Sequence, residues 1–511
     1  MNDRWLITIL LLVCGFQLWA AHYYTVFDDE AFSCNRYVMP AGELVGALWN
    51  GVEPDPPLYY LLQHAWISVF GVGPVGLRGL SILCFLTGLL VVREAGEAWF
   101  DAPTGRAASL LCALHPAHLF FGFAGRWYAT MFCLVAALLW VSRLLSHAPP
   151  EHRWRWIVGW AVTAAAICYT NYFGPVVVGL VWMVCIVRAA GRRPWLLAAA
   201  LAVILYAPWL PPFWRQVVLF PPIGGPWQSY LATAGRTLVA LLAGNLAAPD
   251  AWWVWVPMAL FVGGSVLLLA RMWADMWPLA VVAFGALVAG IVSRTMIDKY
   301  VMCFSGVAVL LGAALLVRGW TRCPAIARAT IVGLAAAWAG CAVHGVTHKH
   351  WSSLRWLDPF ESVVLEWLND SETPPILDWA VSHPSGRYYL ACQVAIDVDH
   401  PWRITPAHWR TYAGPPDGSD GRRLITTGTP KSLAARIEVD PPRKIVVMQT
   451  AGFAEDADWD RLQSLLNRFY DPVRQRDYLD DTAAAWKDRL DPRFRHPARR
   501  ITMTLWKRIG P

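Results

Sequence analysis

The chain has 511 residues, of which 56% are hydrophobic and only 15% charged, and it carries 31 tryptophans. That balance excludes an ordinary soluble enzyme and fits a chain that crosses a bilayer many times. The net charge of +7 lies wholly within residues 1–350, because residues 351–511 hold 22 basic and 22 acidic side chains. A nucleic-acid binder would put a basic stripe on its soluble part, so no nucleic-acid partner is expected.

Arg4 to Tyr24 has the length of one crossing, and the stretch around Leu18-Trp19-Ala20-Ala21 offers no convincing cleavage site, so it reads as an uncleaved first span. An acidic loop follows, with Asp28, Asp29, Glu30, Glu43, Glu53 and Asp55. Consecutive carboxylates at a membrane surface repel one another. They form either a solvated cap, with Asp28 or Asp29 capping a helix from Glu30 to Tyr37, or a site that needs an acid. Pro56 to Phe70 is apolar but short and opens on a double proline, which suits a helix lying along the interface.

Further apolar runs lie near residues 77–97, 106–123, 127–145, 156–172, 174–190, 195–213, 252–272, 277–296, 300–318 and 325–346, giving about eleven spans in all. One set of span ends holds thirteen arginines, among them Arg4, Arg93, Arg143, Arg188 and Arg318; the opposite set holds seven basic residues, including Arg78, Arg126 and Lys299. The arginine-rich set is therefore expected in the cytoplasm, with the acidic loop and the chain's last third outside. Few ionisable groups fall mid-span, whereas a transporter places them near the bilayer midplane. A long outer loop, Arg215 to Asp250, joins a proline-glycine segment to a helical run from Ser229 to Leu246. Most of the 11 cysteines sit in apolar runs without metal spacing and read as small core residues.

From Trp351 the composition is that of a soluble domain. A helix is expected at Asp358–Leu368, a buried strand at Lys444–Met448, an amphipathic helix at Asp458–Tyr470 and a terminal strand at Arg500–Trp506. These make a small α/β domain over residues 350–511, after a membrane domain over residues 1–349 whose outer catalytic loop is 25–76.

A carboxylate at the outer face can take a proton from a hydroxyl nucleophile, and arginine or lysine can hold a phosphate. Glycoside hydrolysis needs a second carboxyl to protonate a poor leaving group. Transfer of a sugar from a lipid phosphate does not, since that group departs as an anion. Asp29, Glu30, Glu53 and Asp55 also offer hard oxygen ligands that would suit Mg or Mn, although their spacing does not demand a metal.

An ordered set of motifs then resembles the GT-C glycosyltransferases of the protein mannosyltransferase and aminoarabinose transferase superfamily, nearest its bacterial lipopolysaccharide-core galacturonosyltransferase-like branch. The set comprises Asp29-Glu30-Ala31, Pro56-Pro57-Leu58-Tyr59-Tyr60, Phe70-Gly71, Leu77-Arg78-Gly79-Leu80-Ser81, Arg126-Trp127-Tyr128, Tyr169-Thr170-Asn171-Tyr172-Phe173, Ala207-Pro208-Trp209-Leu210-Pro211 and Asp298-Lys299-Tyr300. The resemblance covers roughly residues 5–320. It implies a polytopic α-helical GT-C membrane fold with outer juxtamembrane helices, in the bacterial inner membrane. It further implies a polyprenyl-phosphate-linked sugar as donor, and a glycan or lipid acceptor such as lipopolysaccharide.

Carried over, Asp29 looks like the catalytic base and Glu30 its neighbour. Arg78, Arg126 and Lys299 would meet phosphate or acceptor anions, with Tyr128 and Tyr300 orienting them; Glu53, Asp55, Tyr59 and Asn171 complete the expected site. The chain departs from the family in having Asp55 where His or Lys often precedes the double proline, Asn171 in place of His, and Ala124 in place of an acid. Two other readings stay open: a lipid-glycan transporter or flippase, and an inactive scaffold of the same fold.

Overall fold

The structure, a computed structural model, describes residues 3–23, 28–37, 39–50, 55–71, 73–219, 228–244, 252–293, 298–347, 367, 379–381, 430–439, 441–450, 457–480 and 499–509. Each apolar run expected as a span is mainly helical among the described residues. In chain order the helices are α1 (Asp3–Tyr23), α2 (Asp28–Tyr37), α3 (Ala41–Trp49), α4 (Pro57–Phe70), α5 (Pro74–Trp99), α6 (Ala102–Leu114), α7 (Pro116–Phe121), α8 (Tyr128–His147) and α9 (Arg153–Cys168). They continue with α10 (Gly174–Arg188), α11 (Arg193–Tyr206), α12 (Leu210–Leu219), α13 (Gln228–Ala243), α14 (Trp252–Arg271), α15 (Trp273–Ser293), α16 (Ser305–Arg322) and α17 (Pro324–Thr347). Six helices among the described residues are long and apolar enough to cross a bilayer, and two shorter apolar ones, Ile7–His22 and Gly174–Arg188, accompany them. The chain is a polytopic helical membrane protein.

Local chemistry sets the breaks. Asp101 caps α6 by accepting from the Thr104 backbone N–H at 2.8 Å. The run 106–123, expected as one helix, is two. Pro116 supplies no N–H and pushes His115 into an extended conformation, and the His115 ring then caps α7 by accepting from the Ala117 N–H at 3.2 Å. Proline again sits in the first turn of α10 and α11, where its missing N–H costs nothing.

The chain divides into two compact units. The first comprises Met1–Ala21, Gly42–Leu62 and Arg78–His350. Within it α5 and α6 meet backbone to backbone. A Cβ at Gly96 would lie 2.7 Å from the Gly105 Cα, and one at Gly105 would strike the Arg93 carbonyl. Small residues at such a crossing replace the hydrophobic drive that lipid does not supply. Polar side chains stitch the buried interfaces: Ser109 donates to the Leu89 carbonyl at 2.8 Å, and the Trp160 indole to Ser142 Oγ at 2.9 Å.

The second unit comprises His22–Ala41, Gln63–Leu77 and Trp351–Pro511. In it the turn from α4 to α5 is fixed by Gln63 donating to the Leu77 carbonyl and Trp66 to the Gly76 carbonyl, at 2.6 and 2.9 Å. Gly71 lies in the left-handed region, φ 79°, which a side chain would disfavour. Ser33, Cys34 and Tyr37 of α2 are buried, and the Tyr37 carbonyl accepts from His64 Nδ1 at 2.7 Å.

The C-terminal part of this unit is a four-stranded sheet in the order β1-β2-β4-β3, with β1 Trp379–Val381, β2 Lys444–Thr450, β3 Tyr470–Asp480 and β4 Arg499–Arg508. The β1–β2 pair is parallel and the others antiparallel. Helices α18 (Pro430–Val439) and α19 (Ala457–Phe469) share a core with the sheet. Leu433, Ile437, Trp459, Leu462 and Leu466 pack there with Ile445, Val447 and Tyr470. The expected strands and the expected amphipathic helix are all present, and β3 and α18 add to them. The helix expected at Asp358–Leu368 lies outside the described residues, apart from Trp367.

Candidate functional site

The expected site residues come together most closely in the first unit, at the N-terminal end of α8. Asp55 and Arg126 are both buried, 4% and 6% exposed. Arg126 Nη2 donates to Asp55 Oδ2 at 2.9 Å, and Arg126 Nη1 donates to the Tyr60 hydroxyl at 3.2 Å. Asn171 approaches the other carboxylate oxygen, Nδ2 to Oδ1 at 3.5 Å, while its own Oδ1 accepts from the Phe173 N–H at 2.9 Å. That backbone bond fixes which end of the amide faces Asp55.

Tyr300 stands beside the pair, in the 3-10 turn Asp298–Cys303. Asp55, Cys303 and Arg126 are its neighbours, and it shares a hydrogen bond with Asn171. Its ring meets Trp127 edge-on at 5.3 Å.

The motifs that were weak singly are partners in space. Ser81 donates to the Arg126 carbonyl at 3.2 Å, so in its 2.9 Å bond with the Tyr59 hydroxyl it accepts. The Tyr59-Tyr60 step of α4 thus reaches both Ser81 and Arg126. The α4 start is anchored in turn by the Leu58 N–H on the Tyr169 carbonyl at 2.9 Å.

A second set extends the site toward α12. The Tyr172 hydroxyl donates to Gln216 Oε1 at 2.7 Å and accepts from the Trp209 indole at 3.1 Å; Gln216 Nε2 donates to the Leu48 carbonyl at 2.6 Å. Trp49 meets Trp209 edge-on at 5.7 Å, so this side of the site is an aromatic wall.

Arg78 is fully buried. It donates to the Ala21 carbonyl in the last turn of α1 at 2.9 Å and lies 5.3 Å over the Phe123 ring. A cation suits a helix C-terminus, and this arginine does not reach for the surface. Tyr128 is buried between Phe121 and Trp127, with ring centroids 5.2 and 4.7 Å away.

Glu30 is buried in the second unit. Asp29 lies in α2, but its side chain, like that of Lys299 and the whole of Glu53, falls outside the described residues. Among the described residues no group of three or more His, Cys, Asp or Glu assembles for a metal. Tyr60, Ser81, Trp127, Tyr172, Trp209 and Gln216 were not among the expected site residues. All but Gln216 stood inside the recognised motifs, and their partners are what the sequence did not show.

The fold has solved counterparts. ArnT from Cupriavidus metallidurans in the apo state aligns over 98% of this chain and 98% of its own, at 14% identity and TM-score 0.58. The same protein bound to undecaprenyl phosphate aligns over 99% and 98%, at 14% identity and TM-score 0.55. An Archaeoglobus fulgidus oligosaccharyltransferase in the apo form aligns over 93% of this chain and 74% of its own, at 12% identity and TM-score 0.49. No protein-family model matches the chain, and no curated protein sequence matches it.

Proposed function

We propose, from the premise that this chain has the fold of the GT-C glycosyltransferases, that it is a membrane glycosyltransferase. It moves a sugar from a polyprenyl phosphate to a glycan or lipid acceptor such as lipopolysaccharide. The observation that carries this reading is the buried Arg126–Asp55 pair with Tyr60, Asn171 and Tyr300 around it, in a fold shared with an ArnT that binds undecaprenyl phosphate. The placement follows the sequence: inner membrane, about eleven crossings, N-terminus in the cytoplasm, and the catalytic loop 25–76 and residues 350–511 in the periplasm.

In the proposed reaction Asp29 takes the proton from the acceptor hydroxyl as that oxygen attacks the anomeric carbon. The bond from that carbon to the phosphate oxygen breaks, and polyprenyl phosphate leaves as an anion without a general acid. One-step displacement inverts the anomeric carbon. Glu30 and Glu53 shape the acidic side of the site, and Lys299 and Arg78 contribute positive charge.

Arg126 is the phosphate-facing cation, and Asp55, Tyr60 and the Ser81 bond to its carbonyl hold it in place. A guanidinium already desolvated and aimed costs little further ordering when the anion arrives. Asp29→Asn should abolish transfer while leaving expression and unfolding temperature unchanged. Near-normal turnover by that variant would remove Asp29 from the chemistry.

One observation favours a second reading, an inactive scaffold. Asp55 neutralises Arg126 at the place where the family often carries a cation. Binding of a polyprenyl phosphate to the wild-type chain separates the two readings, since a working transferase should bind it and a scaffold should not.

A further inference from the structure

At the other end of the first unit's helices a second charged cluster has no part in the proposed chemistry. Arg126 immediately precedes Trp127 and α8, whereas Arg143 lies fifteen residues beyond Tyr128, roughly 22 Å along the helix axis at 1.5 Å per residue. There Arg143 of α8, Arg188 of α10, Arg318 of α16 and Asp275 of α15 line one cavity of about 120 Å³, with Trp99 and Phe100 at its side. About 10–15 Å³ measured with a water-sized probe holds one water, so this space takes a larger group.

The arginines are aimed, not splayed. Arg143 and Arg188 face the same Trp99 ring, at 5.9 and 5.8 Å from its centroid, and Arg318 lies 4.9 Å over Phe100. Trp99 is fixed by its indole N–H on the Leu139 carbonyl at 2.8 Å, and Arg143 by Nε on the Ala98 carbonyl at 3.0 Å.

Charge does not balance. Asp275 already answers two cations, Arg322 at 2.8 Å and Arg318 at 3.7 Å. Neither Arg143 nor Arg188 makes an ion pair among the described residues. Arginines that obey the positive-inside rule need only reach water. Converging from three helices on one indole-walled space brings like charges together, and that arrangement suits an anion between them.

We propose that this cavity is a phosphate-binding site, separate from the transfer site, which takes the phosphate of an anionic phospholipid headgroup or a free phosphate. Basic pockets between membrane helices at the cytoplasmic side suit such headgroups. Arg143 and Arg188 supply the charge-assisted donors, Arg318 shares the anion with Asp275, and Trp99 holds the two free guanidiniums in register.

The test uses the full chain. Wild type, Arg143→Gln/Arg188→Gln and a charge-matched control, Arg155→Gln/Arg192→Gln, are reconstituted in phosphatidylcholine with cardiolipin. They are then released into detergent, and retained cardiolipin is counted by native mass spectrometry. In parallel, unfolding temperature is read in inorganic phosphate against chloride at equal ionic strength. The site variant should retain several-fold less cardiolipin than wild type, with the control unchanged, which assigns the lipid headgroup. Equal retention in all three, with a phosphate-dependent rise in unfolding temperature that only the site variant loses, assigns free phosphate. Equal cardiolipin loss in site variant and control, or no response of wild type to either probe, overturns the proposal. Should the double variant not fold, Arg188→Gln alone carries the same readouts, since Arg188 is exposed and its ring contact among the described residues is with Trp99.

Discussion

Arg126 and Asp55 are each other's counter-charge in a place where water is scarce. Desolvating two such groups costs several kcal/mol per ion, which their mutual attraction offsets together with the hydrogen bonds of Tyr60 with the guanidinium and of Asn171 with the carboxylate. Removing one partner leaves the other charge buried. Arg126→Ala should therefore cost about 3–5 kcal/mol of stability. Arg126→Ala/Asp55→Ala should cost less than the two single losses together, with a coupling on the order of 1–3 kcal/mol. Denaturant unfolding of the four proteins in detergent measures this, and strictly additive losses would show the pair to be unimportant. The sequence pointed to Asp55, Arg126, Asn171 and Tyr300 through ordered motifs. It did not show that Tyr60 serves Arg126 or that Tyr172, Trp209 and Gln216 form one chain, because partners 37 to 66 residues apart leave no periodic signal.

Element by element, apolar runs were legible because a bilayer demands them. The division of 106–123 into α6 and α7 was legible too, in Pro116, although length alone argued for one span. What length and pattern could not show is where backbones touch. Gly96 and Gly105 let α5 and α6 approach so closely that any side chain collides with backbone. Gly96→Val should lower stability by about 1–3 kcal/mol, the usual cost of overpacking, whereas Gly179→Val, where an added Cβ meets nothing within 4 Å, should leave it nearly unchanged. Thermal unfolding of both variants in detergent decides it, and equal midpoints would contradict the close crossing. In the sheet, β3 escaped notice for a different reason. Among the described residues it is an edge strand paired with β4 alone, and Asp471, Gln475, Arg476 and Asp477 on it are exposed. Pro472 and the register shift between Pro472 and Arg474 are features that an edge tolerates and a central strand would not.

For the whole molecule, the uneven charge and the apolar runs pointed to a membrane protein, the motif order resembled that of GT-C glycosyltransferases, and ArnT aligns over 98% of the chain at only 14% identity. Fold alone does not fix chemistry, so the activity rests on what the site does. The most direct measurement incubates the purified full chain in liposomes with a polyprenyl-phosphate-linked sugar and a lipopolysaccharide-type acceptor, following donor and acceptor by mass spectrometry. The acceptor should gain one sugar with inverted anomeric configuration while free polyprenyl phosphate accumulates in equal amount. Donor that crosses the bilayer intact, with no glycosylated acceptor and no free polyprenyl phosphate, would contradict the proposed transfer.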